Sequence, residues 1–257
     1  MTDSWIPVSF ERTRGSAPIL LICEHASSMI PTEFDNLGLD PSARISHVAW
    51  DIGGGDVARH LSDKLDAPLV SGGVSRLVYD CNRPPSAEDA IPEKSEIITV
   101  PGNTDLSEQD RAARALLIHD PFHAAVAGLL ATHRDRIAAP VAVITVHSFT
   151  PIYFGQPRDV EIGFLHSDNP DISMAAQDIE NRKGRYKTAL NQPYSASDGV
   201  TYTLQKHGDA NQLPSLMVEI RNDLVNTPAK AHAVADHLSE TLHDAVTSVL
   251  KQAGGAQ

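Results

Sequence analysis

Hydrophobic positions along the chain fall into short continuous runs separated by longer amphipathic stretches. Residues 18–23 (PILLIC), 68–71, 74–79 (VSRLVY), 141–146 (VAVITV), 160–165 and 215–220 (SLMVEI) are runs of strand length. Residues 141–146 are unbroken and β-branched, which suits a central strand buried on both faces. Residues 185–190 read as a further strand. Between these runs the spacing changes to that of helices. After Gly53-Gly54-Gly55, residues 56–65 place Val57, Leu61 and Leu65 on one face. Residues 106–136 read as helix with a break expected at Asp120-Pro121, because proline removes a helical hydrogen bond. Residues 171–182 and 198–207 are helical, and residues 228–251 close the chain as an amphipathic helix. Residues 40–47 suggest a short helical turn, and residues 84–103 are a long irregular stretch with few periodic features.

Strands alternating with helices predict an α/β fold. The sheet is expected to be mixed, because some connections are too short for a helical crossover. No composition shift marks a boundary, so residues 1–257 are read as a single domain, with residues 1–15 and 252–257 peripheral and the tail AGGAQ frayed. The bulk numbers agree: 257 residues, 41% apolar and 21% charged, are ordinary for one large domain. A net charge of -12 argues against nucleic acid and anionic membrane as partners, since both require basic patches. It leaves room for a small anionic substrate, because a local arginine cluster reverses the field inside a pocket. Two cysteines, Cys23 and Cys81, are too few for a disulfide framework, which makes a reducing cytoplasm the simplest location. The first fifteen residues have no apolar core of signal length, and no run of about 18 apolar residues occurs, so no membrane span is expected.

Ligands of open α/β sheets sit beyond the carboxyl ends of the strands. Those ends carry polar residues here. The first run stops on Glu24-His25, the fourth on His147-Ser148, and the last holds Glu219 and Arg221. The run 74–79 carries Arg76 and leads into Asp80, Asn82 and Arg83. Each has a structural reading as well. His25 and His147 suit hydrogen-bonded core histidines, Asp51 suits a helix N-cap, and Glu219 with Arg221 suits an ion pair on one strand face. Arg76 and Arg83 suit surface partners of Asp80. Gly53–Gly55 is a weak phosphate cue outside the strand-GxGxxG context. HExxH, paired CxxC, Walker and GxSxG motifs are absent from the sequence.

Taken in order, CEHASSMIP, HVAWDIGGGDVA, SRLVYDCNRPP, HSFTP and VEIRNDL resemble the N-formylglutamate amidohydrolase family, from about residue 18 to 225. The resemblance implies the phosphorylase/hydrolase-like fold of the wider zinc carboxypeptidase and aspartoacylase-like superfamily, a mixed sheet sandwiched between helices. It implies one divalent metal, zinc foremost, held by His25 and His147, and Glu219 as the carboxylate that activates water. It further implies that Arg76 polarises the scissile carbonyl and that Asn82 and Arg83 hold a substrate carboxylate. Arg158, in FGQPRDV, is implied to hold a second one. The superfamily takes its third metal ligand from a glutamate three residues after the first histidine, and position 28 is Ser28. Asp51 or Glu24 must then supply the oxygen, or the site is weaker. Asp51 is favoured, since Glu24 and His25 are adjacent on a strand end and would point to opposite faces. The expected function is metal-dependent hydrolysis of an N-acyl amino acid, first of all N-formyl-L-glutamate to glutamate and formate. The alternatives are a deacylase for another acyl amino acid or small peptide, or a non-catalytic carboxylate-binding protein on the same fold. Histidine and carboxylate ligands suit zinc, iron, cobalt or manganese.

Overall fold

Seven strands form one mixed sheet in the computed structural model of the protein, which describes residues 5–254. They are β1 (Val8–Glu11), β2 (Ile19–Cys23), β3 (Leu69–Gly72), β4 (Ala142–Phe149), β5 (Ile162–Leu165), β6 (Thr188–Leu190) and β7 (Ser215–Arg221), in the spatial order β1-β3-β2-β4-β7-β5-β6. The four central strands, β3, β2, β4 and β7, run parallel, so their carboxyl ends lie on one side. β1 and β5 join antiparallel to β3 and β7. Four helices cover the sheet: α1 (Gly54–Leu65), α2 (Glu108–Ile137), α3 (Asp171–Lys183) and α4 (Pro228–Gly254). The last three residues of the AGGAQ tail lie outside the described residues.

Strand alternation divides the interior into two cores. Ile19, Leu21 and Cys23 of β2 pack with Val57 and Leu61 of α1 and Leu238 of α4. Leu20 and Ile22 point the other way, to Phe122, Val126 and Leu130 of α2. Both faces of β2 are therefore apolar, as its unbroken run requires. α2 is long and apolar enough, by length and composition, to cross a membrane; here its apolar side packs on the sheet. The helix starts at a capping box between Ser107 and Asp110. It does not break at Asp120-Pro121. The preceding turn, Ala115–His119, widens so that the Asp120 N–H reaches the Ala115 carbonyl, which accommodates the proline within a continuous helix.

Residues 74–79 form turns instead of the expected strand. Their apolar residues, Val74, Leu77 and Val78, are spaced i, i+3, i+4, the spacing of a helical turn. The Val78 N–H bonds to the Ser75 carbonyl at 2.9 Å, and all three side chains enter the α2-side core. The Ser75 hydroxyl ties this turn to the Ala49 carbonyl at 2.7 Å. Residues 84–103 contain a small hairpin, Lys94–Ser95 with Ile98–Thr99, and a second lies at Ile152–Tyr153 with Gln156–Pro157. Val8–Glu11, for which the hydrophobic pattern gave no strand, form an edge of the sheet.

The glycine run before α1 serves close packing. Gly53 has φ +77°, and a Cβ there would stand 2.1 Å from the Val225 carbonyl oxygen. A Cβ on Gly54 would press on Asp51, and one on Gly55 on Ala26, each at 3.2 Å. Gly53→Ala should therefore cost about 1–3 kcal/mol in denaturant unfolding. Gly128→Ala in α2, where a Cβ meets nothing within 4 Å, should gain roughly 0.5–1 kcal/mol. Equal effects of the two substitutions would contradict this packing.

Candidate active site

Alternation along the central strands sends Glu24, His147 and Glu219 to the same face as the α2-side core. His147 and Glu219 are direct partners in the β4–β7 register. β2 ends at Cys23, and the chain turns at Glu24-His25. That turn cancels the expected opposition of the two side chains, and both reach one cluster. Asp51 arrives from the loop before α1, pinned by its N–H to the His25 carbonyl at 3.0 Å. It is not a helix cap: its Oδ2 accepts from His147 Nδ1 at 2.9 Å and from the Ser148 N–H at 3.2 Å.

His25 Nδ1 lies 3.4 Å from the same Asp51 oxygen and, though buried, has no hydrogen-bond partner. Two ring nitrogens and one carboxylate oxygen thus face one another. His25, Asp51 and His147 offer ligand atoms that all lie within 4.8 Å of one another. The far side of each ring meets a second carboxylate: His25 Nε2 is 2.7 Å from Asp80 Oδ1, and His147 Nε2 is 3.2 Å from Glu24 Oε2. Carboxylates in that position orient imidazole ligands and raise their basicity. Glu24 therefore lies behind His147, and Asp51 lies between the histidines.

The charges make the same point. Glu24, Asp51, Asp80 and Glu219 are all buried, and among the described residues Arg76 is the one guanidinium bound to them, with Nη2 2.6 Å from Asp80 and Nη1 3.5 Å from Asp51. Glu24, Asp51 and Asp80 against one guanidinium leave two negative charges before Glu219 is counted, and buried charge is costly unless paired. In the bare protein the imidazoles absorb part of this surplus. Burial opposes protonation of His147, but Glu24 and Asp51 outweigh it and hold its pKa well above the ordinary value. Burial likewise works against the Asp51 carboxylate, and His25 and His147 overcome it. The donor set and the surplus charge both fit a divalent cation.

His25, Asp51, Arg76, Asp80 and His147 line a cavity of about 260 Å³, small for a ligand pocket. Glu219 sits in its wall, where burial first and Asp51 next raise its carboxyl to about 7 against the opposing His147 and Arg76. Arg221 does not pair with Glu219; it bonds Asp223 at 2.8 Å instead. Arg83 lines the cavity, with Nε on Asp89 and Nη1 on the Gly199 carbonyl. Asn82 lines it too, but its amide is largely engaged within the protein. Its Oδ1 accepts the Thr203 N–H at 3.0 Å, and its Nδ2 donates to the Val200 carbonyl. Arg158, the expected reader of a second carboxylate, is not in the cavity wall. Its place is taken by Tyr194 and Tyr153, on which it stacks. Sequence reasoning missed both tyrosines, since nothing marks a tyrosine in QPYSASDG as facing a cavity. The rim is formed by the two hairpins, clasped by Glu96, which meets His47 Nε2 at 2.8 Å and the Phe154 N–H at 3.0 Å.

Asn82→Ala would leave the Thr203 N–H and the Val200 carbonyl without partners. Losing buried partners costs about 1–3 kcal/mol each, so the variant should lose stability by that order in denaturant unfolding. An unchanged unfolding midpoint would show the amide to be free for a ligand.

No curated protein matches the chain. The crystal structure of a gene product from Agrobacterium tumefaciens is 42% identical, with a TM-score of 0.92 over 95% of this chain and 96% of that one. The N-formylglutamate amidohydrolase of Ralstonia eutropha is 19% identical, with a TM-score of 0.64 over 96% of this chain and 99% of that one, a likeness of fold. A profile of N-formylglutamate amidohydrolase matches residues 17–226, most of the sequence, and the chain belongs to that family.

Proposed function

We propose that the protein is a metal-dependent amidohydrolase that cleaves a small N-acyl amino acid, first of all N-formyl-L-glutamate to glutamate and formate. The observation that carries this reading is the convergence of His25, Asp51 and His147 on a small cavity that also holds Glu219 and Arg76. His25, Asp51 and His147 would hold a divalent ion, which would supply Lewis acidity toward water and a carbonyl oxygen. Zinc suits this donor set, as do iron, cobalt and manganese.

Glu219 takes a proton from the attacking water and returns it to the leaving nitrogen, so that water adds across the C–N bond and the amine departs neutral. A carboxylate with a pKa near the working pH serves both steps. Arg76, fixed by Asp80 and Asp51, presents positive charge to the acyl oxygen as negative charge develops there. Asp80 and Glu24 hold the two imidazoles in their tautomers. Arg83 binds the α-carboxylate: its Nε and Nη1 are engaged, and its Nη2 has no protein partner among the described residues. Lys94 adds a further cation at the cavity wall. The size of the cavity favours a substrate of amino-acid dimensions.

An amine-release screen over N-formyl, N-acetyl and N-succinyl amino acids, with zinc, iron, cobalt and manganese added, tests the reading directly. Turnover of N-formylglutamate is expected; no turnover of any acyl amino acid under any metal would favour a carboxylate-binding protein. Elemental analysis of protein purified without chelator tests the ligands independently of activity. His25→Ala and Asp51→Ala should lose the metal, whereas Glu24→Gln should keep it with weakened affinity, by about 10–100-fold. Stoichiometric metal in Asp51→Ala would move the third ligand elsewhere.

Glu219→Gln should keep the metal and lower kcat by about 10²-fold or more. A general base works when ionised, so kcat/KM should rise with pH through the Glu219 pKa, about 7 in the bare protein and lower beside a bound cation. That acid limb should vanish in Glu219→Gln. A variant that retains it would assign the limb to another group.

A further inference from the structure

Arg158 and Tyr194 form a unit that the proposed chemistry leaves without a task. Arg158 Nη1 donates to the Tyr194 hydroxyl at 2.9 Å. Its guanidinium lies 4.4 Å from the Tyr153 ring centroid and 4.7 Å from that of Tyr194. Held between two aromatic faces, a guanidinium has a fixed direction. Tyr153 and Tyr194 line the cavity with Glu219, and Arg158 does not. A phenol hydroxyl has one proton to give. Here its oxygen already accepts from Arg158, and its proton has no acceptor among the described residues. Accepting from a cation also strengthens the hydroxyl as a donor.

We infer that Tyr194 donates a hydrogen bond to the acyl oxygen of the scissile amide, and that Arg158 is a positioning residue acting through Tyr194 and not a reader of substrate carboxylate. The inference rests on the amidohydrolase reading above. The permanently charged donors Arg83 and Lys94 belong to the loop of residues 83–96, which suits them to a substrate carboxylate. Tyr194 lines the same cavity as Glu219 and Arg76, which puts its hydroxyl beside the groups assigned to the reacting end. Burial and the Glu219 charge push the phenol up to about 12, so it stays protonated at neutral pH. A neutral donor aimed at an oxygen that gains charge only during reaction favours the transition state over the bound substrate.

The test is a double-mutant cycle on N-formylglutamate and N-formylalanine. Tyr194→Phe keeps the ring and should lower kcat about 10²-fold on both substrates, with KM within about twofold. Arg158→Met keeps an apolar stem and should lower kcat about tenfold on both. The double variant should be no slower than Tyr194→Phe, because Arg158 acts only through the hydroxyl. Independent losses, or a rise in KM confined to N-formylglutamate in Arg158→Met, would overturn the inference and return Arg158 to carboxylate recognition. An ultraviolet difference titration against Tyr194→Phe reads the coupling without substrate. Arg158→Met should raise the Tyr194 phenol pKa, and an unmoved titration would sink the coupling alone. A wild-type protein that hydrolyses no acyl amino acid would sink the amidohydrolase reading and the catalytic part of this inference with it.

Discussion

A surplus of buried negative charge organises this molecule. Glu24, Asp51, Asp80 and Glu219 would not stay ionised together in an apolar interior without compensation. Arg76 compensates one of them, and the imidazoles of His25 and His147 stand between the others. Every carboxylate oxygen at the cluster that meets a ring nitrogen does so from a different chain segment: the turn after β2, the loop before α1, and the turn at Asp80. The site is thus also a tether among segments that are distant in sequence, and its electrostatics hold the loops as firmly as the loops hold it.

The sheet supplies the stiffness that such a cluster requires. Parallel central strands bring their carboxyl ends to one side, and the β4–β7 register puts His147 directly beside Glu219. Because that register is fixed by apolar contacts on both faces, the distance between the proposed base and the proposed metal ligand does not depend on any loop. Asp51 does depend on one, and the loop is confined by the close approach of Gly54 and Gly55 to Asp51 and Ala26. The three glycines that resembled a phosphate loop serve as clearance for helix α1 over the cluster.

Much of this was legible in the sequence, for identifiable reasons. The apolar runs 18–23, 141–146 and 215–220 are strands because both faces of a central strand must be apolar. His25 and His147 stood out because a polar residue directly after such a run has to face something. The run 74–79 misled because it is apolar and short; its i, i+3, i+4 spacing was the better guide to a turn. The widened turn before Pro121 was not legible, because a proline can be absorbed in several ways that only packing decides. Tyr194 was hidden for another reason. It lies in a polar loop whose path is set by neighbours far away in sequence, and local patterns carry nothing about them. Arg158 was marked as a functional arginine, but whether it touches the cavity or a tyrosine in front of it is a matter of a few ångströms.

The clasp at the rim has a consequence for how such a protein can change over time. The two hairpins that border the cavity are small excursions outside the seven-stranded sheet, joined to each other through Glu96. Neither contributes a residue to the His25–Asp51–His147 cluster. Replacements in the hairpin at Lys94–Thr99 can therefore reshape what enters without touching that cluster, whereas Tyr153 of the other hairpin also supports Arg158. The His25–Asp51–His147 cluster and the Lys94–Thr99 hairpin thus lie on separate pieces of chain, so a lineage can alter that part of the rim while the cluster stays fixed.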